Sequence, residues 1–217
     1  TRRFLANIYR GQYYALPTSS TNSPPQCLNY WKGLPDALSD THQFFFANTI
    51  VNNSYYTGAM TSSYNSNNNG SIYPYLNESV WENVRKCYNL LEHIEDVPGL
   101  PADEKERMKD ETRCLLASFY FICFRFYGGL PIIEGTFSGA DAEYELPRGS
   151  VDETVKFMVG LLDTVIKGNH LVWSYAGTDQ AATDTGRWTL AGALALKIKI
   201  LQFVASPLFN DTKPYYD

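Results

Sequence analysis

The stretch Gly186–Asn210 constrains this chain more than any other part of it. Leu190, Leu194, Ile198, Leu201 and Ala205 recur at steps of three and four, which puts them on one face of a helix. Ala191, Gly192, Ala193 and Ala195 are small enough to let a second helix approach closely. Pro207 cannot continue a helix, and it disfavours helical geometry at Ser206. The spacing therefore predicts a helix over 186–206 that lays an apolar face against another element.

Further helices precede it. Ser79 and Glu82 have capping-box spacing, and Val80, Val84, Cys87, Leu91 and Ile94 follow as a stripe that Pro98-Gly99 ends. A second helix opens near Pro101 with acids in its first turn and runs to Tyr127 before Gly128-Gly129. Its charged first half reads as solvated and its apolar half, Cys114 to Tyr127, as buried. The short link makes these two helices antiparallel neighbours. Leu130–Ile133 leaves as an extended segment. Ser150 and Glu153 form another capping box, opening a stripe of Val151, Val155, Met158, Leu162 and Val165 that closes at Gly168. Residues 169–185 read as a polar loop, and the 186–206 helix pairs back onto the preceding one. Helical hairpins in series predict a mainly all-α, tetratricopeptide-like stack, although no 34-residue repeat is visible.

The N-terminal third differs. Residues 1 to about 15 read as a helix with Phe4, Leu5, Ile8 and Tyr9 on one side. Loop signals then run to Asn77, giving a region 1–77 of helix plus long loop and a region 78–217 of paired helices. Between Asp40 and Glu78 there is no Asp, Glu, Lys or Arg. That stretch is instead rich in Tyr, Asn and Ser, and so long a loop in a compact domain is usually functional or disordered. Its aromatic density favours function.

Composition excludes several roles. A net charge of −5 leaves no basic patch to neutralise nucleic-acid phosphates. No run of 18 apolar residues is present to span a bilayer as a helix. Beginning at Thr1 without Met or an apolar signal core, the chain reads as a mature form, a trimmed form or an internal piece. Cys27, Cys87, Cys114 and Cys123 match no metal or disulfide framework and read as structural thiols. His42, His93 and His170 are scattered, and no zinc-protease, nucleophile-elbow, Walker or dinucleotide motif appears. The reading is a non-enzyme with no cofactor and no metal site.

Four blocks then agree in order and spacing with one family. Trp81 to Ile94 resembles a W-x-x-x-Y/I-R-x-x-N-x-L-x-x-I helix. Asp110 to Phe121, followed by Phe126-Tyr127-Gly128-Gly129-Leu130-Pro131-Ile132-Ile133, resembles E-A-x-F-L-R-A-x-x-Y-F…Y-G-G-V-P-L-I. Leu146 to Val155, through Asp163, resembles R-x-S-x-x-E-T-x…D-L-D, and Gly186 to Asn210 resembles G-R-x-T-x-x-A-A-x-A-L-K-x-x-x-L-x-x-A-S-P-L-x-N. The match covers roughly residues 78 to 210 and identifies a resemblance to the SusD/RagB-like nutrient-binding proteins. Leu115-Leu116-Ala117 stands where the family has Leu-Arg-Ala, and family members are typically about twice as long.

This resemblance implies an α-helical, tetratricopeptide-like fold and the N-terminal portion of a SusD-like domain, with the C-terminal half absent. It implies a surface lipoprotein of a Gram-negative outer membrane, anchored by an N-terminal lipid outside this chain. Such a protein binds oligo- or polysaccharide without cleaving it and passes it to a SusC-like TonB-dependent barrel. Sugars stack on aromatic rings and pair their hydroxyls with amide and carboxylate groups, often with modest affinity because hydroxyl desolvation offsets the new bonds. The candidates are Tyr55, Tyr56, Tyr64, Tyr73, Tyr75, Asn65, Asn67, Asn77, Asp40 and Trp31, where the bland alternative is a ring or cap packed on the scaffold. Trp173 reads as a further exposed loop aromatic, Trp81 as core, Asn89 as an interhelical hydrogen bond, and Arg148 and Arg187 as structural pairs. The competing function is a helical adaptor that contacts protein partners only.

Overall fold

The computed structural model describes residues 1–12, 17–18, 28–29, 39–43, 56–59, 79–137, 139 and 145–210. Two compact units divide the chain, one formed by Thr1–Ile8 with Asn83–Asp217 and the other by Tyr9–Glu82.

In the Tyr9–Glu82 unit, the described backbone includes a two-residue parallel pair, β1 (Pro17–Thr18) and β2 (Leu28–Asn29), with Pro17 opposite Leu28. Turns lie at residues 39–41 and 56–58, the second reaching a left-handed φ of 71° at Gly58, where the missing Cβ removes the steric cost.

The larger unit is helical. α1 (Arg2–Arg10) buries Leu5 and Ile8, while Phe4 is 37% exposed. It stops five residues short of the expected end, in a turn closed by the Gln12 amide donating to the Tyr9 carbonyl. Gly11 follows the last helical residue, where glycine ends helices readily. α2 (Ser79–His93) buries Val84, Cys87, Tyr88 and Leu90, with Ile94 just beyond it. The Ser79 side chain, and with it the expected capping box, lies outside the described residues.

α3 (Ala102–Tyr127) begins after Pro101 as expected, and its apolar half supplies the centre of the core with Leu115, Leu116, Phe119, Tyr120 and Phe124. The charged half is less solvated than the sequence implied. Asp110, Glu111 and Thr112 are all buried, the two carboxylates because distant side chains reach them. Gly128 ends the helix at φ 70°, its amide donating to the Phe124 carbonyl. At Gly129 a Cβ would stand 2.1 Å from the Gly149 carbonyl oxygen, so this glycine lets segments 130–133 and 145–150 run side by side. Gly149 donates to the Leu130 carbonyl at 3.0 Å across that approach.

α4 (Val151–Gly168) carries the anticipated capping box: the Ser150 hydroxyl accepts from the Glu153 amide, and the Glu153 carboxylate accepts from the Ser150 amide at 2.7 Å. Val155, Met158, Leu162 and Val165 are buried. The loop that follows is anchored, with Leu171 and Tyr175 each 4% exposed, and it contains α5 (Ala181–Asp184).

α6 (Leu190–Val204) starts later than expected because Thr189 is its N-cap, its hydroxyl accepting from the Gly192 amide. The buried face is Ala193, Ile200 and Val204. This corrects the expected stripe, of which Ile198 is 62% exposed and Ala205 exposed. α3 packs against α4, and α4 against α6. Lys197 of α6 reaches Asp163 of α4 at 2.5 Å. Phe121 and Phe124 meet Phe203 and Phe209 at ring separations of 5.7 to 6.1 Å, closing one end of the core.

Candidate functional site

Of the expected ligand residues, Tyr56 and Asp40 fall among the described residues. Both are exposed, Tyr56 by 43% on the turn that Gly58 closes and Asp40 beside the Ser39–Thr41 hydroxyl contact of 2.9 Å. Tyr55, Tyr64, Tyr73, Tyr75, Asn65, Asn67, Asn77 and Trp31 lie outside the described residues. Trp173 is 62% exposed, as expected of a loop aromatic. It stands between the buried anchors Leu171 and Tyr175, and the loop is pinned by the Leu190 amide donating to the Val172 carbonyl at 2.9 Å. Trp81 is half-buried.

The motif residues act as scaffold. The Arg187 guanidinium grips Glu111 with two bonds, Nη2 to Oε1 at 2.6 Å and Nε to Oε2 at 3.0 Å, and also donates to Asp184 at 2.9 Å. Burial works against the Arg187 charge, but the Glu111 and Asp184 contacts outweigh it and hold its pKa above the ordinary arginine value. The pair ties the glutamate of one sequence block to the arginine of another, 76 residues away. Asp110 beside it accepts from Arg113 at 2.7 Å and meets His170 Nδ1 at 2.9 Å. Arg148 donates to the Gly129 carbonyl at 2.7 Å and to the Tyr127 carbonyl. Both arginines therefore have the structural pairing that the sequence implied.

Two core tyrosines hold the extended segment after α3. The Tyr120 hydroxyl donates to the Pro131 carbonyl at 3.0 Å and accepts from the Ile133 amide at 2.9 Å, while the Tyr88 hydroxyl donates to the Ile133 carbonyl. Burial pushes the Tyr120 phenol up to about 12 and the Tyr88 phenol upward too, so both stay neutral donors. Leu116 is fully buried. Cys87, Cys114 and Cys123 are buried free thiols, Cys123 raised by burial to about 12, and are inert in that state. Cys27 lies outside the described residues. Among the described residues no group of three His, Cys, Asp or Glu is placed to hold a metal ion, and no helix is long and apolar enough to cross a membrane.

One open groove of about 350 Å³ runs beside α1 and α2, lined by Phe4, Asn89, Leu90, His93, Ile94 and Val97. Asn89, expected to bond across to a neighbouring helix, is half-exposed on its wall. The lining is mostly apolar and supplies few partners for sugar hydroxyls.

Solved structures share this fold. The protein BT4246 matches 99% of this chain at 24% identity and a TM-score of 0.66. The SusD-like carbohydrate-binding protein BF0978 of Bacteroides fragilis matches 92% at 18% identity and a TM-score of 0.63. The chain has the SusD-like fold. The SusD-like protein BF3747 of Bacteroides fragilis aligns over 58% of the chain at 28% identity and a TM-score of 0.51. This chain spans 32%, 36% and 23% of those three proteins, respectively. No family model matches the sequence, and no curated protein does. What sequence reasoning missed in the SusD-like scaffold is the pair of buried carboxylates, Asp110 and Glu111. Their signal was two adjacent acids placed directly before the apolar half of α3.

Proposed function

We propose that this chain is the N-terminal portion of a longer surface protein that captures oligo- or polysaccharide and cleaves no bond in it. The observation that carries the reading is the SusD-like fold, matched over 92% of the chain by a protein named as carbohydrate-binding. The chemistry of residues 41–77 supports it. An uncharged stretch bearing Tyr55, Tyr56, Tyr64, Tyr73 and Tyr75 among Asn65, Asn67 and Asn77 offers flat rings and amides, the groups that stack on sugars and pair with adjacent hydroxyls. Asp40, at the edge of this stretch, and Trp31 complete the proposed set. In this reading the protein sits at the outer-membrane surface on an N-terminal lipid and hands its ligand to a SusC-like TonB-dependent barrel. The helical unit serves as a rigid platform, since its ionic and tyrosine contacts are internal.

The test is retardation of the chain in native gels cast with a panel of polysaccharides, beside a variant with all five tyrosines replaced by alanine. Retardation by a glycan, lost in a variant with an unchanged circular dichroism spectrum, is the expected result. Equal retardation of both proteins removes the tyrosine stretch as the site. No retardation by any glycan removes the glycan reading for this portion, and favours the adaptor role to which the exposed Trp173 and Leu208 would lend themselves.

A further inference from the structure

The ion pair of Arg187 with Glu111 belongs to a longer chain of charges. Arg2 of α1 donates to both oxygens of Glu104, each at 2.6 Å. Arg107 Nη2 stands 3.8 Å from Glu104 Oε1, and Arg107 Nε stands 3.8 Å from Glu111 Oε1. Arg187 then closes on Glu111 and Asp184. The contacts at the two ends are direct, whereas those that Arg107 makes in the middle are too long for hydrogen bonds.

Two polar atoms of this neighbourhood are unpartnered. Arg107 Nε is buried and makes no hydrogen bond among the described residues. The same holds for the hydroxyl of Tyr175, a residue only 4% exposed. That phenol lies in the fields of Glu111, Arg187, Arg107 and Asp184, and burial, with the Glu111 charge, holds its pKa above the ordinary tyrosine value. A donor and a hydroxyl left unpaired in the core each carry an uncompensated desolvation cost. Folded proteins pair such groups, and use ordered water where protein atoms do not reach.

We propose that one water molecule is bound between Arg107 and Glu111 as a fixed member of the network. It accepts from Arg107 Nε, donates to Glu111 Oε1 and bonds the Tyr175 hydroxyl. Three partners are usual for a buried water, and a polar gap of 3.8 Å lets one water touch both sides at about 2.8 Å. Glu111 Oε1 has a second lone pair to give beside its bond from Arg187. Charge decides the occupant. Arg2, Arg107 and Arg187 balance Glu104, Glu111 and Asp184, so an ion placed here would add an unpaired charge, and neutral water does not. Tyr175 also anchors the loop that presents Trp173, and its carbonyl accepts from the Thr178 hydroxyl at 2.8 Å. The water therefore fastens that loop to α3, beside the direct bonds of Arg187. None of this depends on the glycan reading.

The test is a crystal structure of the protein grown with bromide in place of chloride, at a resolution that shows ordered water. The expected result is one peak without anomalous signal, about 2.7–3.2 Å from Arg107 Nε, Glu111 Oε1 and the Tyr175 hydroxyl. The absence of a peak overturns the proposal, as does a direct bond from Tyr175 to Glu111 or Asp184. An anomalous peak assigns a halide and overturns it too. Tyr175→Phe carries the question into solution. Losing a water-bonded hydroxyl should lower Tm by roughly 2–4 °C, whereas deleting a hydroxyl that has no partner leaves Tm unchanged or raises it. An unchanged or higher Tm overturns the proposal.

Discussion

Replacing Arg187 by methionine is expected to be among the most damaging single substitutions in the helical unit. Glu111 is fully buried, and both of its oxygens are taken by Arg187 at 2.6 and 3.0 Å. The next cation, Arg107, is 3.8 Å away and its Nε makes no hydrogen bond among the described residues. Arg187→Met therefore removes the two-bond guanidinium partner of a fully buried carboxylate, which costs about 3–5 kcal/mol. In a unit of this size 1 kcal/mol corresponds to about 2–4 °C, so Tm should fall by roughly 10–15 °C. Removing both charges with Arg187→Met and Glu111→Leu should recover more than half of that loss, because the desolvation cost leaves with the second charge. Arg187→Lys should fall between wild type and Arg187→Met, since a point charge cannot grip both oxygens. Differential scanning calorimetry of the four proteins decides it. A fall below about 3 °C for Arg187→Met, or a double variant as unstable as the sum of the single ones, refutes the reasoning.

Other outcomes follow from the same contacts. Glu92, Glu104 and Glu153 have folded pKa values held below the ordinary 4.5, Glu92 by Thr136, Glu104 by Arg2 and Glu153 by the Ser150 amide. Their contribution is present above about pH 4.5 and is lost as pH falls through the lowered values, so Tm should drop on acidification below that point. Burial raises Cys87, Cys114 and Cys123 above 9.0 and Tyr88 and Tyr120 above 10.0. Stability should therefore also fall as pH rises past about 9, and Cys87→Ala should reduce that alkaline slope in pH-resolved melts. Gly129→Ala drives a Cβ to within 2.1 Å of the Gly149 carbonyl and should cost about 1–3 kcal/mol by chemical denaturation. Ser150→Ala removes the α4 cap and should cost about 1 kcal/mol, with Ser150→Thr near neutral.

Much of the helical unit was legible because its signals are local. Ser150 with Glu153, Pro101 before α3 and the Gly128-Gly129 stop each act within a turn of the chain, and all three appear where the spacing placed them. The misreadings arise where a distant element decides. α6 is apolar around most of its circumference, so spacing alone could not say which arc would be buried, and it is Ala193, Ile200 and Val204 instead of the Leu190–Ala205 stripe. Asp110 and Glu111 read as solvated because their partners His170 and Arg187 lie 60 and 76 residues away. Within the candidate site, Tyr56 and Asp40 are on the surface as a binding role requires. The other candidates were chosen on side-chain chemistry and family resemblance, with no periodic pattern to place them.

The central claim, that the Tyr- and Asn-rich stretch contacts a glycan, is tested most directly by hydrogen–deuterium exchange of the chain with and without each polysaccharide of the panel in excess. The account predicts slowed exchange within residues 41–77 with at least one glycan, and none along α3 or α4. Slowing confined to the α1–α2 groove around Phe4 and His93, or absent with every glycan, would contradict it.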